Sequence, residues 1–163
     1  MNRSKFIALA AAAVALSIPA FAAEVEADAG AKIIAPLQIG NSTALYFGTI
    51  APSLTAGDKV VVSPRGEKAC GAELTCLTDD HTAAEFKVSG EADSAYTIQL
   101  PRSIQISNGA GASMTVDAFT GSKANGTLVA GSDTFTVGGT LGVAANQATG
   151  EYTGTFVVAV EYQ

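Results

Sequence analysis

Residues 25–39 read VEADAGAKIIAPLQI, and every odd position in this stretch is apolar. Side chains of a β-strand alternate between its two faces, so this period of two predicts an extended segment with one buried face. At roughly 3.3 Å per residue, one strand over the whole stretch would be about 50 Å long, well beyond an ordinary strand. We therefore predict that this stretch is divided between two parts of the structure. An N-terminal arm, residues 23–32, is mobile or donated, and a domain over residues 33–163 follows, with its first strand starting at about Ala31.

The residues before the arm have the composition of a secretory signal peptide. Arg3 and Lys5 precede an Ala/Leu-rich run over residues 6–18, and Ala20-Phe21-Ala22 fits a signal-peptidase site. We predict that residues 1–22 are a signal peptide and that the mature chain is exported to the periplasm, the cell surface or the medium. No other apolar run is long enough for a transmembrane span.

The charge balance narrows the possible partners. The whole chain has 9 Lys and Arg residues against 15 Asp and Glu residues, a net charge of −6. Removing the two leader cations leaves 9 − 2 = 7 against 15, or −8 for the mature chain. A protein this acidic is poorly suited to bind nucleic acid or an anionic membrane surface.

Short alternating segments follow the arm, separated by Gly, Asn, Pro and Ser, and no amphipathic helix is evident. This organisation predicts an all-β antiparallel fold, a sandwich or a barrel. Asn108-Gly109 and Asn125-Gly126 tolerate positive φ and are expected at tight turns. The expected strands are residues 31–39, 45–50, 59–63, 85–89, 96–100, 113–119, 134–143 and 151–162.

The apolar register of these strands predicts the core. Tyr46 is the one tyrosine expected to point outward, so the platform of exposed aromatic rings that is common in carbohydrate-binding sandwiches is not expected. The residues expected in the core are Ile39, Phe47, Val62, Phe86, Val88, Tyr96, Ile98, Val116, Phe135, Val137, Leu141, Phe156, Val158 and Val160.

Few residues of the sequence carry recognisable chemistry. Cys70 and Cys76 are the only cysteines, and so close a pair in an exported protein is expected to form a disulfide. His81, the one histidine, follows Asp79 and Asp80, but no further ligand lies at a recognisable spacing. The sequence also lacks a nucleophile elbow and a zinc-protease motif. We therefore expect no metal site, no cofactor and no enzymatic activity.

Several segments together, in their order and spacing, resemble a family of secreted bacterial proteins catalogued as domain of unknown function 4402. The resemblance covers nearly all of the mature chain and implies an exported immunoglobulin-like β-sandwich of no established activity. The cysteine pair is a departure from the family pattern. The matching segments are residues 34–37, 45–52, 86–90, 96–101, 137–141 and 150–156.

A second similarity concerns the end of the chain. Residues 150–158, GEYTGTFVV, resemble the last strand of archaic chaperone-usher pilins, the group that includes spore-coat-U-like subunits. Gly154 departs from that pattern, in which the position is usually acidic. The similarity implies a sandwich that lacks its own final strand and is completed by the N-terminal arm of the next subunit. The implied arm residues are Val25, Ala27, Ala29, Ala31 and Ile33, and the implied groove residues are Tyr152, Phe156, Val158, Val160 and Tyr162.

These observations favour an exported structural subunit of a surface fibre or pilus-like assembly. Its expected partners are copies of itself or related surface subunits, with a periplasmic chaperone as a further partner. The alternative is a monomeric periplasmic or surface module that binds a small ligand or a glycan. The two hypotheses differ at the N-terminus, because a polymer subunit needs residues 23–33 to leave their own domain.

Overall fold

The structure is a computed structural model, and it describes residues 24–77 and 79–163. The predicted signal peptide lies outside the described residues. Residues up to Lys32 form a unit separate from Ile33–Gln163. In the described part of that first unit, residues 24–32 have no regular secondary structure and their side chains are exposed.

Residues 33–163 form an all-β, antiparallel, sandwich-like domain. No helix that could span a membrane is found in the described part of the chain. The strands are β1 (Gln38–Thr43), β2 (Ile50–Ala51), β3 (Asp58–Val62), β4 (Lys68–Cys70), β5 (Thr75–Cys76), β6 (Ala84–Ser89), β7 (Ala95–Gln99), β8 (Ser103–Ser107), β9 (Ser113–Gly121), β10 (Asn125–Thr127), β11 (Ser132–Val143) and β12 (Ala159–Tyr162).

The longest strand, β11, organises the larger sheet. Its first half pairs with β6 and its second half with β3, while β9 pairs along the opposite edge. Gly138 lies where the partner changes from β6 to β3, and a Cβ there would overlap the carbonyl oxygen of Val62. The strand order is β1-β6-β11-β3-β4, with β8 attached through β9.

The second sheet has the order β10-β7-β12 and faces the first. Pro101 stands between β7 and β8, where its missing N–H interrupts the ladder and the chain passes from one sheet to the other. The closing segment of the chain runs antiparallel to both strands. Its β12 pairs with β7, and Thr153 pairs with Ser107 at the end of β8.

The core consists of two apolar clusters. The first lies around β3, β9 and the second half of β11 and contains Phe47, Val60, Val62, Leu74, Val116, Leu141 and Val143. The second lies between the two sheets and contains Ala84, Phe86, Val88, Tyr96, Leu128, Phe135 and Val137. Leu45 and Phe119 pack against both clusters, so the apolar interior is continuous.

A buried polar group lies in this interior at Tyr96. Its ring is fully buried, and its hydroxyl donates to the carboxylate of Asp133 at 3.0 Å. Lys123 Nζ donates to both oxygens of the same carboxylate at 2.9 Å. Burial and the neighbouring Asp133 raise the pKa of Tyr96. Burial alone would raise the pKa of Asp133, but the bonds from Lys123, Tyr96 and the Thr134 N–H together lower it.

Most of the predicted core is correct. The nine predicted residues Phe47, Val62, Phe86, Val88, Tyr96, Val116, Phe135, Val137 and Leu141 are buried. Ile98, Phe156, Val158 and Val160 are partly buried and pack against the second cluster. The prediction that Ile39 lies in the core was wrong, because this residue is on the edge strand β1, where its side chain is 36% exposed.

Several predicted elements were also wrong. The first strand is Gln38–Thr43 instead of residues 31–39, since Pro36 cannot donate to a ladder. In the predicted strand 151–162 only Ala159–Tyr162 is paired as a strand. Asn125-Gly126 begins β10 instead of forming a turn, whereas Asn108-Gly109 does join β8 to β9. Strands β4, β5, β8 and β10 were missing from the prediction.

Candidate functional site

The domain contains a cleft of about 980 Å³. One wall is residues 44–52, between β1 and β3, and the other is residues 147–156, ahead of β12. The two walls come from opposite ends of the domain sequence. The floor between them is apolar and is formed by Phe86, Ile104, Ile106, Met114, Val116, Phe119, Leu141, Val143 and Phe156.

The backbone of the first wall is hydrogen-bonded to the rest of the domain at Tyr46 and at β2. Tyr46 exchanges two backbone bonds with Thr82, both at 2.9 Å, and β2 pairs with β5. Within the described residues, Leu45, Phe47 and Gly48 make no backbone–backbone hydrogen bond. Alternate backbone groups of an extended chain point to opposite sides. The first wall therefore retains backbone groups that can pair with a further strand.

The second wall has a similar gap. Backbone pairing with β8 stops at Thr153, whose bonds to Ser107 are 2.9 and 3.0 Å long, and residues 154–158 belong to no strand. Gly154 brings the chain close to β8, because a Cβ there would lie 2.7 Å from Ile106 Cγ2 and 2.9 Å from the Gln105 carbonyl oxygen. The acidic residue usual in the pilins would not fit at this position.

Three aromatic rings support the floor of the cleft at the second wall. The ring centroids of Phe156 and Phe119 are 4.9 Å apart, and those of Phe156 and Phe86 are 6.0 Å apart in an edge arrangement. Phe86 in turn stacks on the buried Phe135 at 5.3 Å. Phe156 is therefore held by the second core cluster on one side and faces the cleft on the other.

The side chains of Gln147, Tyr152 and Asn41, at the cleft, are hydrogen-bonded within the domain. Gln147 donates to the Ser113 carbonyl and to the Tyr152 hydroxyl, and that hydroxyl donates to the Ala148 carbonyl at 2.7 Å. Asn41 donates to two backbone carbonyls, at 2.7 and 3.1 Å. Glu151 is the one charged residue among those that line the cleft. The cleft thus combines an apolar floor with open backbone groups in its walls and a single charged side chain.

The structure divides the predicted groove residues into two groups. Tyr152 and Phe156 line the cleft. Val158, Val160 and Tyr162 pack instead against the second core cluster, where β12 pairs with β7. Sequence reasoning missed the opposite wall, residues 44–52. The signal was present, because residues 45–50 were predicted as a strand, but a sequence does not show which edge of a strand stays unpaired.

Tyr162 joins the two ends of the domain. Its hydroxyl donates to the Ala35 carbonyl at 2.8 Å and accepts from the Glu91 N–H at 2.7 Å. The Ala35 N–H donates to the Glu91 carboxylate at 3.2 Å. Gly90 leaves room for this hydroxyl, which a Cβ would overlap. Ala35 is therefore anchored beside β12, just after the predicted arm.

Of the predicted arm residues, Val25 is 92% and Ile33 95% exposed, and Ala27, Ala29 and Ala31 are exposed as well.

The remaining candidate residues lie at the first wall and in the nearby loops. A disulfide joins Cys70 on β4 to Cys76 on β5, as expected. His81 bonds through Nε2 to the Gly66 carbonyl oxygen at 2.9 Å, and its Nδ1 is buried without a hydrogen-bond partner in the described part of the chain. Residues 24–77 and 79–163 contain no group of three or more potential metal ligands.

No curated protein and no solved structure matches the chain. The family described as domain of unknown function (DUF4402) matches residues 37–162, which include all twelve strands and both walls of the cleft. The chain therefore belongs to this family.

Proposed function

We propose that this protein is an exported structural subunit of a surface fibre or pilus-like assembly, and that its cleft accepts a β-strand from a neighbouring subunit. The observation that carries the proposal is the apolar cleft with unpaired backbone in both walls. Strand addition uses both features, since the backbone of the added strand supplies hydrogen bonds and its alternate side chains enter the groove.

The N-terminal arm is the strand that we expect to enter the cleft. At about 3.3 Å per residue, residues 24–33 would span about 33 Å, longer than the nine-residue first wall, which Gly48, with a φ of 82°, turns away from a fully extended course. The arm alternates apolar and polar positions, so one face can point into the cleft while Glu24, Glu26 and Asp28 point to solvent. This arrangement also keeps these acidic side chains away from Glu151 at the cleft.

The small arm residues limit the affinity that side chains can supply. Burial of Val25 and Ile33 would contribute about 1.5–3 kcal/mol each, and the three alanines roughly 0.8 kcal/mol each. The new ladder hydrogen bonds would add about 0.5–1.5 kcal/mol apiece. The backbone is therefore expected to supply a large share of the binding energy, which suits a cleft whose walls have open backbone groups.

Export is part of this proposal. The disulfide supports it, because such bonds persist in oxidising compartments such as the periplasm and the cell surface. The leader-like residues 1–22 supply the corresponding signal in the sequence.

The alternative is a monomeric module that binds a small ligand in the same cleft. The cleft volume of about 980 Å³ falls within the range of small-molecule sites, about 300–1,000 Å³. The apolar floor favours an apolar ligand over a glycan, because nine apolar side chains form it and Glu151 is the one charged residue of the lining. Tyr46, 48% exposed at the first wall, is the ring best placed to contact such a ligand.

The test compares the mature chain with a variant lacking residues 23–30, by size-exclusion chromatography with light scattering. Strand exchange predicts oligomers of the mature chain and a monomer for the shortened chain. Matched thermal melts of the shortened chain would show that its domain is folded. Oligomers of the shortened chain, or a stable monomer of the intact mature chain, would contradict the proposal.

A further inference from the structure

The first wall of the cleft is anchored at Tyr46 and Phe47, by backbone bonds to Thr82 and by burial in the first core cluster, but its β2 end is not paired with the large sheet. Its strand β2 pairs with β5, and this two-stranded unit is separate from the large sheet in the described residues. The unit contains just two residue pairs, Ile50 with Cys76 and Ala51 with Thr75. A ladder this short is not stable by itself in water. Its position must come from contacts beyond the ladder.

The disulfide supplies a covalent connection. Cys76 is on β5, and Cys70 is on β4, which is paired to the large sheet through Val60 of β3. The chain thus passes from the large sheet through the disulfide to β5, and from β5 through its ladder to β2. Thr49, Ile50 and Pro52, at the β2 end of this wall, line the cleft.

The loop between the two cysteines has its own anchors. Leu74 is buried in the first core cluster, and the Glu73 N–H donates to the Asp58 carboxylate at 3.1 Å. These contacts hold residues 71–74, and on the β2–β5 unit itself Ile50 and Cys76 pack against the edge of the first core cluster. Beyond them, the Leu77 N–H donates to the Thr49 carbonyl at 2.9 Å, a bond that joins the β5 side to the cleft wall without fixing either to the large sheet.

We propose that the Cys70–Cys76 disulfide positions the first wall of the cleft, so that strand acceptance depends on the redox state of this pair. The inference rests on the proposed function for its consequence in assembly. A dithiol reductant would transfer two electrons and two protons to the bond, giving two thiols and an oxidised, cyclic reductant. The β2–β5 unit then loses its cross-link to β4, while the sheets and both core clusters keep their contacts.

The experiment uses mature protein with either both cysteines present or the double substitution Cys70→Ser and Cys76→Ser. A synthetic peptide of residues 24–35 is the probe of the cleft. Its affinity is measured by fluorescence anisotropy for oxidised protein, for protein reduced with dithiothreitol, and for the double variant. We expect at least tenfold weaker binding in the last two. Equal affinity in all three would overturn the inference.

A control separates wall displacement from general loss of stability. Val88→Ala, in the second core cluster and away from the cleft, should lower the melting temperature but leave peptide affinity close to that of the native protein. A similar loss of affinity in this variant would mean that binding follows global stability, which would also overturn the inference.

Hydrogen exchange gives a readout that does not need the peptide. In the double variant, exchange should become faster at the amide of Leu77, which bonds to Thr49 beside β2, while the amide of Tyr46, which bonds to Thr82, and the amides of β6 and β11 keep their protection. If the peptide binds none of the proteins but this local change occurs, the proposed function fails and the role of the disulfide stands. If protection at Leu77 is unchanged, the disulfide does not position this part of the wall.

Discussion

Replacement of Phe156 by alanine perturbs the core and the cleft at the same point. Truncation of a completely buried phenylalanine to alanine lowers the free energy of unfolding by about 3–5 kcal/mol. Phe156 is held on one side by Phe86 and Phe119 and opens on the other side to the cleft. Truncation therefore enlarges a space that is already open, and we expect a cost of about 2–4 kcal/mol, including about 0.5–1.5 kcal/mol for each lost ring contact.

Urea unfolding of the mature protein measures this cost, with Phe135→Ala as the matched control. Phe135 is 2% exposed, stacks on Phe86 and does not line the cleft. Its truncation should cost about 3–5 kcal/mol, more than that of Phe156. In contrast, the arm peptide of residues 24–35 should stabilise the wild type more than Phe156→Ala.

Two results would refute this reasoning. A cost below about 0.5 kcal/mol for Phe156→Ala would place the ring outside the packed core, since surface substitutions usually fall in that range. Equal stabilisation of the wild type and Phe156→Ala by the arm peptide would show that the peptide does not reach the floor of the cleft.

Three further predictions concern the arm, the acid stability and the histidine. Ala29→Asp, on the face that enters the cleft, should abolish oligomers in light scattering, whereas Glu26→Lys on the solvent face should leave them; equal behaviour of the two would contradict the assigned faces. Because the pKa of Asp133 is lowered in the folded state, its stabilising contribution is present above its ordinary value and is lost as the pH falls through the folded value. Urea midpoints should thus fall less steeply with acidification below about pH 4 in Asp133→Asn than in the wild type, and parallel curves would contradict the role of Asp133. Because His81 bonds to the Gly66 carbonyl and has no cluster of metal ligands around it in the described residues, a chelator should leave the melting temperature unchanged; a fall would reveal a metal.

The core could be predicted from the sequence because burial of one strand face is a local pattern. In Phe86 and Val88, or in Phe135 and Val137, alternate residues enter the interior regardless of which strands are neighbours. The pattern fails at the edges of the sheets. All residues of β1, Gln38–Thr43, are exposed, so no apolar alternation marks where this strand begins or ends.

Strand β8 was also missing from the prediction, although Ile104 and Ile106 alternate with polar residues, as expected of a half-buried strand. Pro101 lies between this strand and β7. In the structure the chain continues past Pro101 and changes sheet. A proline, which cannot donate a backbone hydrogen bond, can thus lie between two consecutive strands that belong to different sheets.

Only the second wall of the cleft was predicted as part of a groove. The closing segment indicated one wall through Tyr152 and Phe156, and the strand pattern of residues 45–50 indicated that the other wall is extended. Their proximity depends on long-range pairing: Thr153 with Ser107 on one side, and Tyr46 with Thr82 on the other. Neither pairing can be inferred from the local sequence pattern.

Cross-linking between subunits tests most directly whether the arm of one subunit occupies the cleft of another. Two variants, Ala29→Cys in the arm and Thr155→Cys in the second wall, are co-expressed with the native disulfide intact and the exported protein is analysed under non-reducing conditions. A new disulfide requires Cα atoms within about 7 Å, so strand exchange predicts a covalent heterodimer. Ala29→Cys paired with Gln99→Cys, an exposed position on β7 outside the cleft, is the control. A heterodimer yield for Thr155→Cys no higher than for Gln99→Cys would contradict the account.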